Sequence, residues 1–82
     1  MFFSKPTLGD IRYRLGCLVD DFDHSDLRRV IKDIEFIIRE PGCSRDRASY
    51  LNQLIKELYR CESGTELSSI RYDRLIDKAV RN

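Results

Sequence analysis

Asp23-His24-Ser25-Asp26-Leu27-Arg28-Arg29-Val30-Ile31-Lys32-Asp33-Ile34-Glu35-Phe36-Ile37-Ile38-Arg39-Glu40-Pro41-Gly42 is the stretch that decides the fold class. Leu27, Val30, Ile31, Ile34, Ile37 and Ile38 recur at intervals of three and four. That spacing stacks side chains on one face of an α-helix and never on one face of a strand. Asp23 or Ser25 can accept hydrogen bonds from the first free amides, and the nearby acids suit the positive end of the helix dipole. Glu40-Pro41-Gly42 stops the helix, because proline has no N–H and clashes with the preceding turn. The stretch therefore predicts a helix over about 26–39.

Upstream, Leu8, Ile11, Leu15, Leu18, Val19 and Phe22 form another stripe, opened by Thr7 with Asp10 in the position of a capping box. Its phase does not run on into the next stripe, so 8–22 and 26–39 are two helices. Gly9 and Gly16 weaken the first by roughly 1 kcal/mol each relative to alanine, and Gly16 is a candidate point of close helix approach. Downstream, Ser44 opens a helix over 45–62 with Ala48, Leu51, Leu54, Ile55 and Leu58 on one side. Ser63-Gly64 closes it, with Gly64 placed for a left-handed cap. Thr65 caps a last helix over 66–80 carrying Tyr72, Leu75, Ile76 and Ala79. No segment alternates at period two. Short links favour sequential antiparallel neighbours. The expected fold is all-α: one domain over 1–82, a compact bundle of three to four short antiparallel helices.

Composition limits what such a domain does. Eighty-two residues make one small domain with a thin stability margin. Fifteen basic and fourteen acidic residues leave a net charge of +1, short of the basic excess usual in a dedicated nucleic-acid binder. Cys17, Cys43 and Cys61 are odd in number and lack paired spacing, which points to reduced thiols in a cytoplasmic protein. The opening Met1-Phe2-Phe3-Ser4-Lys5-Pro6 has no long apolar run of the kind a signal peptide carries, and nothing approaches a membrane span.

Chemical motifs are sparse. Asp20, Asp21, Asp23, His24 and Asp26 fail the calcium-loop spacing, since Asp26 and Lys32 stand where glycine and glutamate are needed. One histidine does not make a zinc site. No oxyanion site, catalytic triad or phosphate-binding glycine loop is legible. The reading is of a protein without enzymatic activity, metal or cofactor.

Some residues do not fit the stripes. Phe36 points opposite to the second stripe, Tyr13 lies away from the first, and Leu67 and Ile70 point toward the charged side of the last helix. These four are the candidate protein-interface residues. Phe2 and Phe3 are expected to cover the bundle or enter a second subunit, if they are not simply frayed. The alternative function is DNA binding by a helix-turn-helix spanning Ile34 to Leu58. There Arg45, Arg47, Ser49 and Asn52 would reach bases or phosphates. Ile38 and Pro41 depart from that motif. A third reading is an inhibitor of a larger host enzyme, carried by a mobile element.

From about Val30 to Arg81 the pattern resembles a family of small enterobacterial regulators, the two-component-system connector proteins linked to biofilm formation and acid stress. The likeness rests on Ile34, Ile37 and Ile38 before Gly42, on Ser44, Leu51, Leu54-Ile55 and Leu58, and on Arg71-Tyr72 with Leu75-Ile76. It implies a helical, dimeric, non-enzymatic regulator that binds a signalling protein. The leading expectation is thus a small adaptor or regulator acting through helix faces, as a homodimer and away from membranes.

Overall fold

The structure, a computed structural model, describes residues 5–82. The expectation for Phe2 and Phe3 lies outside the described residues. Five helices follow one another: α1 Leu8–Asp20, α2 His24–Arg39, α3 Arg45–Tyr59, α4 Gly64–Ser69 and α5 Tyr72–Arg81. The described residues contain no strand.

The caps explain where the helices begin. Thr7 accepts from the Asp10 amide while Asp10 accepts from the Thr7 amide, each at 3.1 Å, which completes the capping box. Asp23 accepts from Ser25 at 2.7 Å and Asp26 at 3.3 Å. Ser44 accepts from Arg47 at 3.1 Å. α4 opens one residue pair earlier than its sequence suggests. Ser63, not Thr65, accepts from the Glu66 amide, and Gly64 is the first helical residue rather than a left-handed cap.

The expected last helix is two helices. Arg71 takes a left-handed conformation, φ 59° and ψ 44°, between α4 and α5. Ser69 turns its hydroxyl back onto the Glu66 carbonyl at 2.7 Å. Such local bonds compete with the helical ladder and favour termination.

The helices close a ring. α1 packs on α2, α2 on α3, α3 on α5 and α5 on α1, with α4 laid against α1. The Cα extents of 33 × 32 × 16 Å describe a flattened slab. Ile11 and Leu15 of α1, Val30 and Ile34 of α2, Leu51, Leu54 and Leu58 of α3, Leu67 of α4 and Ile76 of α5 are sealed in a single core. Burying side chains of this size contributes about 1.5–3 kcal/mol each. No polar or charged side chain is buried among the described residues.

Candidate interaction surface

Two of the four expected interface residues lie on the surface. Tyr13 is 74% exposed and Phe36 47%. Arg14 of α1 pairs with Asp33 of α2, tying the two helices together at this level. Tyr13 and Asp33 share a shallow hollow with Pro6, Asp10 and Arg14. Phe36 stands one turn beyond Asp33 on the same side of α2, because residues three apart are helix neighbours. Tyr13 and Phe36 are thus the aromatic features of the outer α1–α2 surface.

Leu67 and Ile70 are corrections. Leu67 is fully buried in the core, and Ile70 is half-buried against it. The break at Arg71 uncouples the phase of α4 from that of α5. A side chain that would point to solvent on one continuous helix points inward on a separate one.

α2 presents a feature that the apolar pattern conceals. Its outward arc, about 100° wide at 3.6 residues per turn, holds Ser25, Arg28, Arg29, Lys32, Phe36 and Arg39, all exposed. The arc contains every arginine and lysine of α2 and none of its acids. Asp26 falls well outside it, and Asp33 and Glu35 border its two edges. None of the four cations makes an ion pair among the described residues. A helical projection of the charges, rather than of the apolar residues alone, reveals this arc from sequence.

Arg28 and Lys32, with the acids Glu35 and Glu62, also wall a hollow of about 550 Å³ between α2 and the end of α3. Its floor includes the core residues Leu27, Ile31 and Leu58, and Tyr59, 66% exposed, stands on the α3 side. Cys61 lies in the same wall, where burial first, and then the charges of Glu66 and Glu57, push its thiol above the ordinary value of 9.0. It is held as a neutral thiol and not activated.

The residues expected to contact DNA divide. Arg45, Ser49 and Asn52 are exposed along one edge of α3, around a shallow hollow shared with Lys56. Arg47 is half-buried, and its Nε donates to the Ala79 carbonyl at 3.0 Å. The α2–α3 unit also closes where a helix-turn-helix opens. His24 and Leu27, near the start of α2, share a hollow with Leu58 and Tyr59 at the end of α3. Helices diverging at about 90–120° from the turn would hold those ends apart.

The acidic run Asp20–Asp26 has ordinary duties, with Asp23 capping α2. Among the described residues no three histidine, cysteine, aspartate or glutamate side chains are grouped to hold a metal ion. Asp73 and Asp77 of α5 reach Arg12 of α1. No helix of the described residues is long and apolar enough to cross a membrane. No family model, curated protein or solved structure matches this chain.

Proposed function

We propose that this chain is a small non-enzymatic adaptor or regulator that works by protein–protein contacts of its helix faces. The observation that carries the reading is the exposure of Tyr13 and Phe36 on the outer α1–α2 surface, away from a core already filled by other residues. Aromatic side chains offer large contact area at low entropic cost and dominate the energetics of many interfaces. The resemblance of Val30–Arg81 to connector regulators points the same way. Self-association as a homodimer belongs to the proposal: a domain this small has a thin margin, and a two-fold interface adds buried surface.

The helix-turn-helix reading is the weaker one. Arg47 is committed to the end of α5, and α2 and α3 fold back on each other.

The test is sedimentation of the wild type over a range of concentrations, followed by Tyr13→Asp and Phe36→Asp. Both positions are exposed, so both variants keep the helical circular dichroism spectrum. Each weakens self-association by roughly tenfold or more, the effect of losing an aromatic anchor. A wild type that stays monomeric throughout removes the homodimer. Variants that associate like the wild type remove the α1–α2 surface from it.

A further inference from the structure

We propose that the outward face of α2 docks an acidic segment of a partner protein, with Phe36 as the apolar anchor and Arg28, Arg29, Lys32 and Arg39 as the cationic rim. This rests on the protein-contact reading above and adds the chemistry of what is bound; because both contacts use Phe36, the acidic segment and a second copy exclude each other there.

Charge segregation is the first support. Helical surfaces ordinarily intersperse the two signs, and the arginines of α1 face acids of neighbouring helices. Arg12 is met by Asp73 and Asp77, and Arg14 by Asp33. On α2 the four cations share one arc, bordered by Asp33 and Glu35, and none of the four makes an ion pair among the described residues. Cations held together repel one another, and an approaching set of carboxylates relieves that repulsion. An apolar residue at the centre of a charged rim is the usual anatomy of a docking face.

The stripe is also short. Arg28 to Arg39 spans about 16 Å at 1.5 Å per residue. A segment of a few turns matches that length. Proteins that bind single strands stack successive bases on several aromatics, and this face has one. A helix lying on a membrane turns its whole apolar stripe to the lipid, but here Leu27, Val30, Ile31 and Ile34 are in the core.

The immobilised full chain is used to select from a displayed library of random peptides, and the enriched sequences are synthesised and titrated. Poly(dT) and vesicles of phosphatidylserine and phosphatidylcholine serve as competing probes. Enriched peptides carry aspartate and glutamate around an apolar residue, and their affinity falls with rising salt. Arg28→Glu with Lys32→Glu, exposed positions that leave helicity intact, weakens them roughly tenfold or more. Peptides with lysine in place of the acids bind that double variant better than the wild type. Enrichment without an acidic bias, affinity indifferent to the double variant, or tighter binding of poly(dT) or vesicles than of any peptide overturns the proposal. Where Phe36→Asp abolishes peptide binding and the charge reversal does not, the contact at Phe36 stands and the acidic partner falls. Where neither variant matters, both fall.

Discussion

At Gly64 the backbone of α4 passes so close to the end of α1 that a Cβ would run into the Val19 carbonyl. A backbone atom cannot swing aside as a flexible side-chain end can. Gly64→Ala therefore forces α4 away from α1 and costs about 1–3 kcal/mol, the usual penalty of overpacking. Gly16, the glycine whose sequence position suggested a close approach, behaves in the opposite way. A Cβ there would meet the Tyr72 hydroxyl at 3.8 Å, an ordinary contact. Gly16→Ala in the interior of α1 raises stability by about 0.5–1 kcal/mol through the lower entropy of the unfolded chain. Urea denaturation of the two variants gives midpoints on either side of the wild type. If Gly64→Ala unfolds at the wild-type midpoint, the approach of α4 to α1 is looser than described. Nothing in the sequence around Gly64 distinguishes this glycine from a helix cap, because the constraint comes from Val19, forty-five residues earlier.

Among the elements, α4 and α5 carry the sharpest consequence. Leu67 is fully buried, so Leu67→Ala removes core volume and costs about 2–5 kcal/mol. An exposed leucine at the same position would cost less than about 0.5 kcal/mol, and thermal or chemical denaturation separates the two. The buried stripes of α1, α2 and α3 were legible because each is continuous and flanked by a capping side chain. Ile11, Leu15, Leu18, Val30, Ile34, Leu51 and Leu58 all lie where the period of 3.6 places them. The break at Arg71 was not legible from composition, since arginine is neither a turn former nor a residue that favours left-handed backbone. It did leave a trace. Leu67 and Ile70 are out of phase with Ile76 and Ala79, the same sign that separates α1 from α2. A phase slip has two causes, a partner or a break, and a charged face nearby makes the partner seem the simpler one. Phe36 shows the other outcome, a misfit inside an unbroken helix that is exposed in the fold.

For the whole molecule, the ring of helices closes through α5, which lies last in the chain and meets both α3 and α1. Two sets of polar ties hold it there, and they differ in strength. Arg12 reaches Asp73 and Asp77 at an exposed site, where ion pairs are screened and contribute about 0–1 kcal/mol. At the other end, Ser44 donates to the Asn82 carbonyl at 2.7 Å and Arg47 donates to Ala79. Carbonyls in a last turn carry the negative end of the helix dipole; Ala79 already accepts from the Asn82 amide at 3.3 Å, and the guanidinium adds a second, charge-assisted donor there. Arg47 is half-buried, and solvent replaces it less readily than it replaces Arg12. Arg47→Ala consequently costs about 1–2 kcal/mol, more than Arg12→Ala. The loss is local before it is global, because a helix tied at its ends opens when an end is released. Amide exchange read by mass spectrometry rises over Tyr72–Arg81 in Arg47→Ala and stays near wild type in α1 and α2. Exchange that rises equally in every helix would mean that the ring opens only as a unit and that Arg47 does not latch α5.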